Sequence, residues 1–180
     1  MRILLHTCCG PCATYVTRHL RGEGHDVSAY YFNPNIHPYA EYARRFAAAR
    51  DWAEHVGVEL RTEEKWSVAE WMADVGSNLT SRCHACYHLR LSRTALLAKA
   101  ESYDAFSTTL LISPYQQHEQ LVSAANEVAQ STGVSFFYTD FRPHFRETFA
   151  LARVLGLYRQ NYCGCLLSDY ERSLWSKHSQ

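Results

Sequence analysis

The sequence lacks any long hydrophobic run. Hydrophobic residues make up 47% of its 180 residues, but no stretch approaches the ~18 residues that a transmembrane helix needs. The apolar start, Ile3 to Leu5, is too short for a signal peptide. We therefore expect a cytosolic protein with no membrane partner. Repeats, linkers and low-complexity tracts are absent as well, and the length suits one sizeable core. We expect one domain over residues 1–180.

An excess of charge is also absent. The 18 basic residues balance the 18 acidic ones, so no overall basic field predicts a nucleic-acid partner. Lysine is scarce, because fifteen of the basic residues are arginine and only three are lysine. The planar guanidinium group suits phosphate binding and base stacking, but a genome rich in G and C would favour arginine too. The composition leaves RNA binding open.

Cysteine, in contrast, is plentiful. Seven cysteines in a reducing compartment are not expected to form a structural disulfide framework. They fall into three groups: Cys8, Cys9 and Cys12; Cys83 and Cys86; Cys163 and Cys165. Each group is predicted to lie in a loop or at the start of a helix, which is typical of ligands and redox groups rather than of core residues.

Strand and helix patterns alternate along the chain. Strands are predicted at residues 2–6, 26–32, 58–61, 105–109 and 134–138. Helices are predicted at 11–21, 38–56, 84–100, 114–131, 143–155 and 166–177, with a short amphipathic segment at 66–75. This alternation predicts an α/β fold of three layers, in which helices cover both faces of a parallel sheet of about five strands.

The predicted sheet also indicates where a site should lie. With the common strand order 3-2-1-4-5, the crevice at the carboxyl ends of the strands lies between strands one and four. The segment HTCCGPC (residues 6–12) follows strand one. We expect it to face Thr108, Thr109 and Ser113, which follow strand four.

The first cysteine group allows more than one chemistry. Cys9-Gly10-Pro11-Cys12 has the four letters of the thioredoxin redox centre, and a helix start lowers thiol pKa values. A thioredoxin-like disulfide reductase, however, leaves Cys8 and the pair Cys83-x-x-Cys86 without a task. Two cysteines of the first group and that pair supply four thiolates, enough for tetrahedral zinc or an iron–sulfur cluster. Their wide separation favours a cluster in the crevice over a structural zinc.

Cys163-Gly164-Cys165 has a different spacing. A disulfide between residues i and i+2 closes a small, strained ring that is easily reduced, and Gly164 would help the backbone to turn. A redox pair is the favoured interpretation on chemical grounds. Ligands of a second metal and two inert thiols remain as alternatives.

Six segments, in this order, resemble the QueH-type epoxyqueuosine reductases. They are HTCCGPC (6–12), YYFNPNIHPYAEYARR (30–45), RCHACYHLRL (82–91), FSTTLLISPYQ (106–116), FFYTDFR (136–142) and YRQNYCGC (158–165). The resemblance implies the last step of queuosine biosynthesis, in which the epoxide of epoxyqueuosine at the wobble position of tRNA is reduced to an alkene and water is released. It also implies a HUP-like (adenine-nucleotide α-hydrolase-like) fold.

The same resemblance implies a cofactor and roles for the cysteines. The implied [4Fe–4S] ligands are Cys8, Cys9, Cys83 and Cys86. Cys163 and Cys165 would form a redox-active disulfide pair that an external electron donor resets. Cys12 stays open: it could replace one of the first two, bind an additional iron or remain a plain thiol.

The resemblance also sets the partners. The implied substrate is tRNA that carries epoxyqueuosine in its anticodon loop. HUP-like domains bind ATP on the loop after the first strand, but Pro11 in that loop lacks an N–H donor, so ATP is not expected. This argues against a tRNA sulfur transferase on the same fold. A zinc-stabilised RNA-binding module remains a rival to the reductase.

Proton donors and RNA contacts complete the expectations. Removing the epoxide oxygen needs two protons, and the candidate donors are His37, Tyr39, Glu41, Asp140 and His144, each of which also suits a structural role. RNA contacts are expected from residues 36–45 and from Arg142, Arg146, Arg153 and Arg159, since aromatic and arginine side chains bind single-stranded RNA. Tyr42 suits the core equally well, because it shares a helix face with Phe46.

Overall fold

The structure is a computed structural model that describes residues 1–63, 65–76 and 79–177. Its strands are β1 (Arg2–His6), β2 (Asp26–Tyr31), β3 (Leu60–Thr62), β4 (Ala105–Thr108) and β5 (Ser135–Phe136). Its α-helices are α1 (Gly10–Gly22), α2 (Tyr39–Val56), α3 (Val68–Val75), α4 (Arg82–Ala100), α5 (His118–Thr132), α6 (Phe145–Val154) and α7 (Leu166–Lys177). Short 3₁₀ turns lie at Thr109–Ile112 and Arg142–His144.

The five strands form one sheet in the order β3-β2-β1-β4-β5, and all four pairings are parallel. This confirms the predicted α/β fold and the predicted strand order. Helix α1 packs against α2 and α6, while α4 packs against α3 and α5, so helices cover the two faces of the sheet. The central strand β1 is therefore buried on both sides, which explains its unbroken apolar run Ile3-Leu4-Leu5.

Helix α1 begins directly after the first two cysteines. Cys9 is its N-cap residue, and Pro11 lies in its first turn, where the missing N–H costs nothing. Gly10 allows a close approach, since a Cβ there would lie 2.4 Å from the Ala48 carbonyl oxygen of α2. The start of α1 is thus in backbone contact with α2.

Several predicted boundaries differ from the structure, and three of them bear on the site or the sheet. Helix α5 begins at His118 and not at Pro114, because the Ser113 side chain and the Tyr87 hydroxyl hold residues 113–117 in a turn. Strand β5 has only two residues, since it lies at the edge of the sheet with a single neighbouring strand. Helix α4 begins at Arg82, so that Cys83 and Cys86 lie within it.

Within the described ranges, no helix combines the length and the hydrophobicity that a membrane crossing requires.

Candidate functional site

The three cysteines of the first group lie together where β1 ends and α1 begins. The sulfur atoms of Cys8, Cys9 and Cys12 are all within 4.8 Å of one another, and those of Cys8 and Cys9 are 3.8 Å apart. Cys9 is fully buried and Cys8 is partly exposed. Three converging thiols form a soft donor set that suits zinc, copper(I) or iron–sulfur chemistry.

The loop after β4 lies across the crevice from this group. The Thr109 hydroxyl donates to Cys8 Sγ at 3.2 Å and accepts from the Cys8 backbone N–H at 3.0 Å. Beside it, His6 Nδ1 and Thr108 Oγ1 are 2.9 Å apart. The predicted meeting of the two loops is confirmed for both threonines. Ser113 has another role, because its hydroxyl accepts from the Tyr115 backbone N–H at 3.3 Å.

The three thiols differ in acidity. Hydrogen bonds from Cys12, Cys9 and Thr109 lower the pKa of Cys8 well below its ordinary value. Burial raises the pKa of Cys9 to about 12, and the neighbouring Cys8 thiolate raises that of Cys12. The shifts favour the thiolate form of Cys8 and the protonated form of Cys9 and Cys12. Proton release accompanies metal binding to protonated thiols.

The second cysteine group lies on α4. Cys83, Cys86 and Arg90 occupy positions i, i+3 and i+7 and so share one helix face. The sulfurs of Cys83 and Cys86 lie outside the compact group of three, and burial raises the pKa of both thiols. Cys86 still borders the same crevice, because the Arg90 guanidinium interacts with both Cys86 and Cys8. Cys83 lies one helical turn before it on α4.

Arg90 occupies the floor of the site. Its side chain is 2% exposed, its Nη2 donates to Asn33 Oδ1 at 2.7 Å, and its Nε donates to His6 Nε2 at 3.3 Å. Burial and the charge of Arg90 lower the pKa of His6 to about 3, so this imidazole is neutral. Cysteine spacing alone does not single out Arg90. The signal that could have identified it is its position four residues after Cys86, which places both side chains on one face of α4.

A buried ion pair on α2 holds the loop that carries the third cysteine group. Arg45 donates to Glu41 Oε1 at 2.7 Å, and its two other nitrogens donate to the carbonyl oxygens of Cys163 at 2.9 Å and Tyr162 at 3.3 Å. The Tyr158 hydroxyl donates to the second oxygen of Glu41 at 2.8 Å. Glu41 and Arg45 are each 2% exposed. Glu41, a candidate proton donor, is thus engaged in holding this loop.

Gly164 fits the loop against the segment after β2. Its φ of +130° lies in a region that L side chains rarely adopt, and a Cβ would lie 3.0 Å from Ile36 Cγ1 and 3.1 Å from Arg45 Nη1. The His37 backbone N–H donates to the Gly164 carbonyl at 2.9 Å. The Tyr162 hydroxyl donates to the His37 carbonyl at 2.8 Å. Glycine between the two cysteines is therefore a packing requirement.

The third cysteine group reaches the other two. Gln160 Nε2 donates to Cys9 Sγ at 2.7 Å, and Cys163 Sγ lies 4.0 Å from Gln116 Oε1. Cys163 is exposed at the surface, but it sits in a crevice where desolvation and the nearby Cys86 raise its pKa to about 12. Cys165 is buried, and all seven cysteines are free thiols in this structure.

The other candidate proton donors follow strands β2 and β5. After β2, Tyr39 is exposed. His37 is buried, neither of its ring nitrogens forms a well-formed hydrogen bond to a residue in the described ranges, and burial lowers its pKa. After β5, Asp140 pairs with Arg142, whose hydrogen bonds lower the Asp140 pKa to about 2. His144 stacks on the Tyr15 ring at 4.6 Å and contacts Glu147 at 2.7 Å.

Exposed aromatic side chains follow the carboxyl ends of three strands, β2, β4 and β5. Tyr115, one residue before Gln116, is 83% exposed, and its ring meets that of Phe145 edge-on at 5.6 Å. Tyr39 and Tyr138 are also exposed. Of the arginines predicted to contact RNA, Arg146 and Arg153 are exposed and Arg159 lies over the Phe149 ring at 4.3 Å. Arg142 is held by Asp140 at 2.6 Å.

Solved structures resemble this fold at low sequence identity. A predicted subunit of a tRNA methyltransferase from Methanocaldococcus jannaschii superimposes with a TM-score of 0.58 and 11% identity, covering 85% of this chain and 74% of that one. The U34-tRNA thiolase NcsA from Methanococcus maripaludis, solved with its [4Fe-4S] cluster, gives a TM-score of 0.57 and 17% identity over 99% of this chain and 67% of that one. These two similarities concern the fold alone.

Sequence comparison reaches further. The chain is 41% identical to the epoxyqueuosine reductase QueH of Dehalococcoides mccartyi over 95% of this chain and 94% of that protein. It is 36% identical to the QueH of Thermotoga maritima, with 99% of this chain and 94% of that protein covered. The family model described as epoxyqueuosine reductase QueH matches residues 3–171. The family model and these relatives cover nearly the whole chain, including all six motif segments. This chain therefore belongs to the QueH epoxyqueuosine reductase family.

Proposed function

We propose that this protein reduces epoxyqueuosine to queuosine at the wobble position of tRNA, using a [4Fe–4S] cluster and the dithiol of Cys163 and Cys165. The observation that carries the proposal is the convergence of three cysteine groups on one crevice. Thr109 ties the first group to the loop after β4, Arg90 connects it to α4, and Gln160 brings the third group onto Cys9. Both the tRNA substrate and the free thiols suit a cytosolic enzyme.

The cluster ligands in this proposal are Cys8, Cys9, Cys83 and Cys86. The thiols are soft donors, they border one crevice, and the buried guanidinium beside them suits an anionic group. A protein of related fold, the archaeal U34-tRNA thiolase, carries a [4Fe-4S] cluster. Bound here, such a cluster would supply electrons one at a time.

The proposal leaves two roles for Cys12. Its sulfur belongs to the compact group with Cys8 and Cys9, so it could replace one of the two or help to bind a second iron. Two thiolates on one tetrahedral ion at ~2.3 Å lie about 3.8 Å apart, which matches the separation of Cys8 and Cys9. Iron, sulfide and zinc must therefore each be measured.

Oxidation of the dithiol supplies the electrons and protons that reduction of the epoxide needs. Reduction of the epoxide breaks both of its C–O bonds, forms a C=C bond and releases the oxygen as water, which requires two electrons and two protons. Oxidation of two thiols to one disulfide releases two electrons and two protons. The raised pKa of Cys163 keeps its proton in place at neutral pH. An external donor of two electrons would then reduce the disulfide.

The exposed tyrosines and arginines suit an RNA partner. Tyr115, Tyr39 and Tyr138 offer faces on which unpaired bases can stack, and Arg146, Arg153 and Arg159 offer phosphate contacts. The cysteine-bearing loop after β1 leaves no phosphate-binding loop for ATP, because Pro11 has no N–H and Gly10 is packed on α2. We propose that the reaction needs no ATP.

The test is anaerobic reconstitution with iron and sulfide, followed by nucleoside analysis of tRNA that contains epoxyqueuosine. We expect a brown protein that converts epoxyqueuosine to queuosine with a strong chemical reductant, while Cys86→Ala loses both colour and turnover. Unchanged epoxyqueuosine in the presence of an intact cluster would overturn the proposal. A colourless protein with stoichiometric zinc would favour an RNA-binding module instead. A metal-free protein that reduces insulin disulfides would favour a thioredoxin-like enzyme.

A further inference from the structure

Arg90 carries a buried positive charge without a carboxylate partner. Within the part of the chain that the structure describes, no aspartate or glutamate pairs with it. Its hydrogen bonds go to His6 Nε2, a ring nitrogen that accepts, and to Oδ1 of the uncharged Asn33 amide. Its Nη1 is buried and makes no well-formed hydrogen bond among the described residues, while the guanidinium lies beside the Cys86 thiol. An isolated buried charge is expensive, so buried charges are normally paired or bound to a group of opposite sign.

The groups near Arg90 that can carry a negative charge are cysteines from three parts of the chain. The guanidinium interacts with Cys86 from its own helix, with Cys163 from the loop before α7, and with Cys8 from the end of β1. Of these, Cys8 and Cys86 are cluster ligands in the proposed function. An anionic group bound at these cysteines would supply the countercharge that Arg90 lacks among the carboxylates.

We propose that Arg90 is a positioning residue whose fixed charge holds the anionic cluster in the crevice and favours its reduced form, an inference that rests on the proposed function. A [4Fe–4S] cluster with four thiolates bears a net negative charge, and each added electron makes it more negative. A cation fixed nearby stabilises the reduced state more than the oxidised one, which raises the reduction potential. His6 and Asn33 hold the guanidinium in place, so its charge cannot turn away.

The fork of the guanidinium fits this role better than an ammonium would. Nε donates to His6 and Nη2 donates to Asn33, so that Nη1 can donate into the site. Lysine keeps the charge but cannot satisfy both neighbours and still reach the site. A neutral side chain of similar length removes the charge altogether.

The experiment compares Arg90→Met, Arg90→Lys and the control Arg93→Gln after anaerobic reconstitution. Arg93 is on the same helix, but it is 42% exposed and pairs with Glu70 and Glu63 at the surface. The first readout is the midpoint potential from a redox titration followed by electron paramagnetic resonance. The second is the retention of iron against a chelator, and the third is the gain in Tm on reconstitution, each measured beside the circular dichroism of the apoprotein.

We expect Arg90→Met to shift the midpoint potential to a more negative value and to weaken iron retention by roughly 10–100-fold, the range seen when support of a metal site is lost. Its gain in Tm on reconstitution should be smaller than that of the wild type, and Arg90→Lys should be intermediate in all three readouts. Arg93→Gln should match the wild type.

A purely structural role gives a different pattern. If Arg90→Met destabilises the apoprotein and the reconstituted protein equally and leaves the midpoint potential unchanged, the inference is wrong. If Arg90→Met does not fold, the potential of Arg90→Lys decides, and a value equal to that of the wild type overturns the inference. Failure of the wild type to bind a cluster would refute the proposed function itself, which distinguishes the two failures.

Discussion

Arg45 donates from Nη1 to the Cys163 carbonyl at 2.9 Å and from Nε to Glu41 at 2.7 Å. One buried guanidinium thus joins the start of α2 to the backbone of the loop that carries the third cysteine group. The position of Cys163 in the crevice depends on a residue 118 positions earlier in the chain.

Glu41→Gln should therefore lower both stability and turnover. The substitution leaves Arg45 buried without its anionic partner, and removing one member of a buried ion pair costs about 3–5 kcal/mol. Arg44→Gln is the matched control, since Arg44 also pairs with Glu41 but is 60% exposed, where a pair is worth ~0–1 kcal/mol. Urea unfolding of the two apoproteins measures the difference. Equal losses in both variants would contradict the role of the buried pair.

Gly164→Ala should displace the loop. The added methyl group would lie 3.0 Å from Ile36 Cγ1, on a backbone with a φ of +130°, so strain of ~1–3 kcal/mol adds to the clash. Gly133→Ala is the control, because Gly133 has a φ of +73° but no atom of the described residues would lie within 4 Å of a Cβ there. We expect a larger loss of turnover than of stability for Gly164→Ala, measured by single-turnover assay and thermal unfolding. Full turnover in this variant would show that the position of the loop is unimportant.

Cys12→Ala tests the one cysteine whose role is open. If Cys8, Cys9, Cys83 and Cys86 are the cluster ligands, this variant should keep iron and acid-labile sulfide at the wild-type ratio. Cys86→Ala should lose both. Metal analysis and visible absorption measure the outcome. Loss of the cluster in Cys12→Ala would make Cys12 a ligand, and loss of one iron with unchanged sulfide would indicate a second metal.

Tyr115→Ala should weaken RNA binding. Stacking of a base on an aromatic ring contributes about 1–3 kcal/mol, so we expect the Kd for an anticodon stem-loop to rise by about tenfold, while Tyr115→Phe retains the affinity. Tyr170→Ala on α7 is the control, since Tyr170 is also exposed, at 63%. Fluorescence anisotropy at several salt concentrations measures the binding. Equal effects of the two alanine substitutions would argue against a specific stacking role for Tyr115.

Much of the fold follows from local pattern. Alternating strand and helix signals give the layers, and the apolar run of β1 indicates its central place. The strand order also brings HTCCGPC against Thr108 and Thr109, as the topology predicts. Pro114 is misleading, because its turn is fixed by the Tyr87 hydroxyl from a distant helix, a contact that no local pattern contains.

The candidate site was only partly predictable. The cysteines stand out by spacing, since thiols at loops and helix starts suit ligands or redox groups. Arg90 and Gln160 do not stand out, because an arginine in a helix and a glutamine in a loop are ordinary. Their importance comes from burial and from partners far away in the chain, His6 and Asn33 for Arg90 and Cys9 for Gln160. Such long-range contacts exist only in the folded chain.

The backbone contact between Gly10 and Ala48 has a mechanical consequence. Since a Cβ at residue 10 would lie 2.4 Å from the Ala48 carbonyl oxygen, the two helices meet with no side chain between them. The thiols at the start of α1 and the Glu41–Arg45 pair on α2 are therefore parts of one stiff body. The spacing between the first cysteine group and α2 is set by main-chain geometry, and the Arg45 side chain extends this rigid contact to the loop of Cys163.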